Sequence, residues 1–136
     1  MSKAKHSTAP RRRIIIVDDD VLIRETVRLA LDHAGFFVIA VGEPARALTA
    51  IRAEKPDLVI MDLYMQGFDG RDLIRSMKAD PELSATPVIL FTGSSEPIDV
   101  VSGLESGAME YLAKPIDGEV LIGKIEHALA KSKGKK

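Results

Sequence analysis

Four short apolar runs, each followed at once by a polar residue, constrain the fold of this chain more than any other feature. The runs are residues 14–17 before Asp18, 58–61 before Asp62, 88–91 before Thr92 and 111–113 before Lys114. An uninterrupted apolar run between turn signals is typical of a parallel strand buried on both faces. Because the carboxyl ends of such strands form the ligand crevice of an open α/β sheet, we expect the four polar groups to share one small site.

Helical periodicity fills the segments between these runs, so predicted strands and helices alternate five times. The predicted strands are residues 14–17, 36–41, 57–62, 88–91 and 109–113, and the helices lie between Asp20 and Gly35, between Pro44 and Pro56, and over residues 70–79, 95–106 and 118–131. This alternation implies right-handed crossovers and a parallel sheet covered on both faces. The sequence therefore predicts an α/β fold, a three-layer, doubly wound (βα)5 sandwich.

The fourth predicted helix begins after a cap at Ser94 or Ser95 and ends at Ser106. Its apolar residues Ile98, Val101 and Leu104 recur at helical spacing, so we expect them to pack against the sheet. Residues 63–69, after the third strand, read as a loop in which Gly67 makes a turn.

The length of 136 residues favours one domain. The charged residues of the chain are unevenly distributed along it. Nine of the 19 basic residues lie near the two ends, whereas all 20 acidic residues lie within residues 14–130, which leaves that span a net charge of about −10. We expect a flexible basic tail over residues 1–13, one domain over residues 14–131 and a basic tail over residues 132–136. An acidic folded body is not expected to bind nucleic acid directly.

No apolar run approaches the ~20 residues that a membrane-spanning helix needs, and the first residues lack the apolar stretch of a secretory signal. We therefore expect no membrane span and a cytoplasmic location. The chain has no cysteine, which excludes disulfides, thiolate metal sites and cysteine nucleophiles.

The residue types at the strand ends suit a divalent cation and a phosphoryl group. Packed carboxylates raise one another's pKa unless a cation compensates them, so Asp18, Asp19 and Asp62 are expected to bind Mg²⁺, or Mn²⁺ in its place. Asp62 stands alone on its strand end and is the best nucleophile, which would form an acyl phosphate. Lys114 can supply countercharge, and the Thr92 hydroxyl can donate a hydrogen bond.

Four motifs resemble the receiver domain of two-component response regulators, a chemotaxis-regulator-like domain. They are Ile-Ile-Ile-Val-Asp-Asp-Asp at residues 14–20, the stretch from Pro-Asp-Leu-Val-Ile-Met-Asp to Gly-Phe-Asp-Gly at residues 56–70, Pro-Val-Ile-Leu-Phe-Thr-Gly at residues 87–93 and Tyr-Leu-Ala-Lys-Pro at residues 111–115. The resemblance implies a flavodoxin-like sheet of order 2-1-3-4-5. It also implies that Asp62 accepts a phosphoryl group from a phosphohistidine on a sensor histidine kinase or histidine phosphotransfer protein.

The same resemblance implies further residue roles. Asp19 would ligate Mg²⁺ directly, Asp18 would do so directly or through water, and the backbone carbonyl of Tyr64 would complete the protein ligands. Thr92 and Lys114 would contact the phosphoryl oxygens, and Tyr111 would be the aromatic switch that follows Thr92. Lys114 and Pro115 would be joined by a cis peptide bond. Output would pass through the fourth helix, fifth strand and fifth helix to a downstream protein target that the sequence does not identify.

Two positions depart from the family pattern. Gln66 stands where proline is usual, so we expect a more mobile loop but intact metal binding. Gly93 stands where alanine is frequent, which keeps a small residue beside the phosphate. We also hypothesise that the Tyr64 side chain shields the acyl phosphate from water.

Two alternative functions also fit parts of the sequence. Asp18 and Asp20 after a buried strand imitate the nucleophile and acid/base pair of haloacid-dehalogenase-like phosphatases, although Asp20 fits a helix cap better. A phosphorylation-independent docking module is the second alternative. The favoured interpretation is a single-domain signalling receiver rather than an enzyme. Such a receiver catalyses only its own phosphorylation and dephosphorylation.

Overall fold

The computed structural model describes residues 11–115 and 117–134, and it centres on a five-stranded parallel sheet. The strands of this sheet are β1 (Arg13–Val17), β2 (Phe37–Val41), β3 (Leu58–Met61), β6 (Val88–Thr92) and β7 (Glu110–Ala113). They lie in the order β2-β1-β3-β6-β7, with every pairing parallel. Because β4 (Tyr64–Met65) and β5 (Phe68–Asp69) form a separate two-stranded sheet, β6 and β7 are the fourth and fifth strands of the main sheet. The order is therefore 2-1-3-4-5, as predicted, and the predicted fold class is confirmed.

Among the described residues there are five α-helices, of which the first four connect strands and the fifth follows β7. They are α1 (Val21–His33), α2 (Ala47–Glu54), α3 (Gly70–Ala79), α4 (Pro97–Ser106) and α5 (Gly118–Gly134), and a short 3-10 turn (Pro44–Arg46) precedes α2. Helix α5 ends at Gly134, three residues beyond its predicted end. Residues 1–10 of the predicted amino-terminal tail and residues 135 and 136 of the predicted carboxyl-terminal tail lie outside the described residues.

The sheet contributes side chains to two separate hydrophobic cores. Alternate residues of β1 and β3 point to opposite faces, so that Ile15 and Val59 join α2 and α3 on one side, while Ile14 and Ile60 join α1 and α5 on the other. All these side chains are at most 1% exposed. Burial on both faces explains why the central strands read as uninterrupted apolar runs.

Local capping signals set the helix boundaries close to their predicted positions. The Asp20 carboxylate accepts hydrogen bonds from the backbone N–H groups of Leu22 and Ile23, which makes it the predicted cap of α1. Lys55 adopts a left-handed conformation with a φ of 50° and ends α2 just before Pro56.

The predicted orientation of α4 is wrong. Ile98, Val101 and Leu104 are 76%, 56% and 43% exposed, whereas Asp99, Gly103 and Ser106 are buried. The predicted serine cap is also wrong, because α4 begins at Pro97 and Glu96 makes no side-chain capping bond.

The packing of α4 explains its orientation. A side chain at Gly103 would meet the Leu90 Cδ1 atom at 2.6 Å and the Tyr111 ring at 3.2 Å, so the glycine face lies directly against the sheet. Asp99 can be buried on this face because the Tyr64 and Ser94 hydroxyls donate hydrogen bonds to it. The apolar stripe is consequently left facing outward.

The predicted loop after β3 contains a small antiparallel hairpin. Its strands are β4 (Tyr64–Met65) and β5 (Phe68–Asp69), which pair Tyr64 with Asp69 and Met65 with Phe68. Gln66 and Gly67 form the turn, and Gly67 has a φ of 69°, as its predicted turn role requires.

Two glycines of this fold should respond oppositely to replacement by alanine. Gly107 has a φ of 123°, and an added Cβ would meet the Lys78 side chain at 2.8 Å, so Gly107→Ala should lower the free energy of unfolding by about 1–3 kcal/mol. Gly123 lies within α5 with open space around it, so Gly123→Ala should raise the free energy of unfolding by about 0.5–1 kcal/mol. Urea unfolding of both variants measures these changes, and a stabilised Gly107→Ala protein would contradict the described backbone.

Candidate functional site

The backbone ladder of the sheet places the predicted site residues side by side. Asp62 donates its N–H to the Val17 carbonyl at 3.0 Å, which extends the pairing of β1 with β3 past the strand ends. Lys114 donates its N–H to the Thr92 carbonyl at 2.7 Å, which does the same for β6 and β7. The site residues therefore lie along one carboxyl edge of the sheet, on both sides of the β1/β3 switch point.

Lys114 joins two of the predicted carboxylates directly. Its ammonium nitrogen lies 2.7 Å from Asp18 Oδ2 and 3.3 Å from Asp62 Oδ2. Asp18 is 1% exposed and Asp62 is 8% exposed, so these are charges at the bottom of a crevice rather than on an open surface. Lys114 thus supplies the countercharge that buried carboxylates need.

Burial and pairing shift the pKa values in this crevice. Burial raises the pKa of the Asp18 carboxyl above its ordinary value, and the hydrogen bonds from Lys114 and from the Asp20 N–H only partly offset this effect. Burial acts to lower the pKa of the Lys114 ammonium, but its hydrogen bond to Asp18 and the charges of Asp18 and Asp62 outweigh burial and raise it. The lysine is therefore held in its charged form.

The carboxylates of Asp18, Asp19 and Asp62 each offer an oxygen within 4.8 Å of the others. Carboxylate oxygens gathered at this spacing are the donor set that Mg²⁺ prefers. The residues present therefore fit the predicted divalent cation. Asp19 is also held by the protein, because its Oδ2 accepts the backbone N–H of Gln66 at 3.1 Å.

Asp20 does not belong to this acidic group. Its Oδ1 accepts the two N–H groups at the start of α1, at 2.9 Å and 3.3 Å. The carboxylate that the phosphatase alternative would use as its acid/base is thus committed to a helix cap.

The remaining predicted site residues line the same edge. Thr92 ends β6 and is 2% exposed. Tyr111 donates its hydroxyl to the Ser94 carbonyl at 2.7 Å, and burial raises the pKa of its phenol. The peptide bond between Lys114 and Pro115 is cis.

Two close backbone contacts hold the acidic segments in place. An added Cβ at Gly70 would overlap the backbone carbonyl oxygen of Asp62, so the start of α3 lies directly against the end of β3. Arg24 donates to the Asp18 carbonyl at 2.9 Å, and it occupies space that a side chain at Gly42 would need, 2.5 Å from the added Cβ. The backbone approach at Gly70 requires glycine, whereas the contact at Gly42 involves the end of the flexible Arg24 side chain.

Sequence reasoning missed a polar network beside the site, which centres on Asp99. The Tyr64 hydroxyl donates to Asp99 Oδ1 at 2.7 Å, and the Ser94 hydroxyl donates to Asp99 Oδ2. The Arg71 guanidinium lies 5.5 Å from the centre of the Tyr64 ring and donates to the Ser102 hydroxyl at 2.6 Å. These contacts join the hairpin, α3 and α4, and no local pattern in the sequence indicated them.

Arg71 is anchored by a second carboxylate. It donates to both oxygens of Asp69, at 2.9 Å and 2.6 Å, and these bonds lower the pKa of the Asp69 carboxyl. The Tyr64 side chain remains 51% exposed, and its hydroxyl is turned to Asp99. Its hypothesised role as a shield for an acyl phosphate stays a prediction.

The strand order and the carboxylates gathered at the switch point define a doubly wound α/β domain with an acidic cluster at the carboxyl edge of its sheet. A family model described as the response regulator receiver domain matches residues 14–126. The chain therefore belongs to the response regulator receiver family, whose members are signalling proteins of two-component systems.

The chain is similar to regulators that are longer than it is. The DNA-binding response regulator MtrA of Mycobacterium tuberculosis (strain ATCC 25618 / H37Rv) is 38% identical over 122 residues, which are 90% of this chain and 52% of MtrA. The transcriptional regulatory protein CseB of Streptomyces avermitilis is 40% identical over 121 residues, which are 89% of this chain and 50% of CseB. This chain thus spans about half the length of these curated relatives.

Solved structures share the fold closely. A CheY-like receiver domain protein from Methanospirillum hungatei JF-1 has a TM-score of 0.87 at 25% identity, covering 93% of this chain and all of that one. The BeF3-activated N-terminal receiver domain of Klebsiella pneumoniae RstA has a TM-score of 0.81 at 28% identity, covering 87% of this chain and 98% of that one.

Within the described part of this chain, no helix combines the length and apolar content that crossing a bilayer requires.

The network around Asp99 should give the stability of the protein a measurable pH dependence. Hydrogen bonds from Ser94 and Tyr64 lower the pKa of Asp99 in the folded state, so its contribution is present above the unfolded pKa and is lost as pH falls through the folded pKa. Asp99→Asn should therefore lower the free energy of unfolding at neutral pH, and its difference from wild type should shrink below pH ~4.

Urea unfolding at neutral pH and at about pH 3 tests this dependence. Asp72→Asn is the matched control, because the Asp72 side chain is 76% exposed and should matter little at either pH. A difference between wild type and Asp99→Asn that persisted unchanged at the lower pH would contradict the expected role of the Asp99 charge.

Proposed function

We propose that this chain is a phosphorylation-controlled signalling module in which Asp62 accepts a phosphoryl group from a phosphohistidine. The observation that carries this proposal is the crevice in which the Lys114 ammonium contacts Asp62 and Asp18 beside Asp19. Membership of the receiver family and the likeness to a receiver described as BeF3-activated support it.

A divalent cation is part of the proposal. Asp18, Asp19 and Asp62 would hold Mg²⁺, or Mn²⁺, together with the backbone carbonyl of Tyr64. Three carboxylates and one ammonium leave the site with a net charge that a dication balances. When bound, the cation would neutralise charge on the transferring phosphoryl oxygens.

The proposed transfer is a substitution at phosphorus. A carboxylate oxygen of Asp62 forms a bond to phosphorus while the bond from phosphorus to the imidazole nitrogen breaks, and that nitrogen keeps the electron pair. Lys114 moves its hydrogen bond from the carboxylates to a phosphoryl oxygen, and the Thr92 hydroxyl donates a second one. Positioning and charge neutralisation therefore provide the catalysis, without a separate acid or base.

The proposed output is a change on the face formed by α4, β7 and α5. Thr92 and Tyr111 lie on the adjacent strands β6 and β7, and Tyr111 already bonds to Ser94 in the segment before α4. Movement of Thr92 toward the phosphoryl group would free space for the Tyr111 ring. The outward apolar residues Ile98, Val101 and Leu104 would present the altered face to a protein target.

The proposed partners are a histidine kinase or histidine phosphotransfer protein and a downstream protein. MtrA is described as DNA-binding, but for this chain we propose protein partners, because residues 14–130 carry twice as many acidic as basic residues. A cytoplasmic location remains part of the proposal.

Phosphate labelling tests the acceptor. Incubation with Mg²⁺ and acetyl phosphate should add the mass of one phosphoryl group to wild type and none to Asp62→Asn, because the amide is a poor nucleophile. Intact-mass spectrometry measures the addition, and removal of Mg²⁺ with a chelator should abolish it. Asp57→Asn is the control, since this acid lies at the opposite end of β3 and should not affect labelling.

The site of labelling separates the alternatives. Modification of Asp18 in place of Asp62 would contradict the proposed acceptor and favour the phosphatase interpretation. Unlabelled wild-type protein, with binding partners retained by Asp62→Asn, would favour a phosphorylation-independent docking module.

A further inference from the structure

The turn of the β4–β5 hairpin contacts the acidic crevice through its backbone. The N–H of Gln66 donates to Asp19 Oδ2 at 3.1 Å. This bond links the segment after β3 to the segment after β1, across the mouth of the site. The donor is a main-chain group, so its position is set by the hairpin pairing of Met65 with Phe68.

The surroundings of Asp19 act to displace its carboxylate. The neighbouring carboxylates of Asp18 and Asp62 repel it, with oxygens of all three within 4.8 Å. The Lys114 ammonium forms ion pairs with Asp18 and Asp62. The hydrogen bond from Gln66 restrains one of the two oxygens of Asp19.

We propose that Gln66 is a positioning residue whose backbone N–H orients Asp19 for the divalent cation. This inference rests on the proposed metal site. The same bond fixes the distance between the hairpin, which carries the Tyr64 carbonyl, and the carboxylates that would share the cation with it. The role belongs to the N–H group, and the Gln66 side chain has no part in it.

The geometry of the turn allows that N–H to be removed cleanly. Gln66 does not have a positive φ, and the following Gly67 has a φ of 69°. This is the sign pattern of a type II turn, in which proline fits the first central position. Gln66→Pro therefore deletes the donor while keeping the turn, and Gln66→Ala deletes the side chain while keeping the donor.

The affinity for Mg²⁺ alone, without phosphodonor, tests the role. Isothermal titration calorimetry should give wild type and Gln66→Ala the same dissociation constant, while Gln66→Pro should bind about tenfold more weakly, as expected for a lost hydrogen bond to a carboxylate. Equal affinities for Gln66→Pro and wild type, or equal losses in both variants, would overturn the proposal. An absence of Mg²⁺ binding by wild type would overturn the metal site itself and the proposal with it.

A metal-free measurement tests the bond even where Gln66→Pro fails to fold. In NMR spectra of the protein without Mg²⁺, Asp19→Ala should speed hydrogen exchange of the Gln66 amide and shift its proton upfield. The Gly70 amide, which donates to the Leu63 carbonyl in the same segment, should keep its exchange rate. An unchanged Gln66 amide in Asp19→Ala would show that the bond is absent and would refute the proposal.

Discussion

The site depends on one ammonium group shared between two buried carboxylates. Moving a carboxylate out of water costs several kcal/mol, so Asp18 and Asp62 can lie at the bottom of a crevice only with a cation beside them. Lys114 provides it from β7, two strands away from β3 in the sheet. The parallel ladder brings these strand ends together, and the ion pairs in turn fix the end of the ladder.

Much of the fold and of the site was predictable because both depend on short apolar runs that end in a polar residue. Apolar runs ending in Asp62, Thr92 or Lys114 identify buried strands and place their last residues at one edge, whichever helices cover them. Burial on both faces makes such runs unambiguous. The acidic cluster follows from the same register, since the Asp62 N–H pairs with the Val17 carbonyl.

The features that were not predicted depend on contacts between distant residues. Periodicity shows that α4 has an apolar stripe but not which way it points, and a glycine against Leu90 and a buried Asp99 decide that direction. The bonds of Asp99 to Tyr64 and Ser94 come from separate segments. The hairpin strands have two residues each, which is too few to show an alternating apolar and polar pattern.

The outward-facing apolar stripe of α4 has a consequence for which substitutions the fold tolerates. Gly103 packs against the sheet and Asp99 accepts hydrogen bonds from Tyr64 and Ser94, so the outer positions of α4 are not needed to fill the interior. Substitutions at Ile98, Val101 and Leu104 can therefore alter the surface of the domain while its packed interior stays the same.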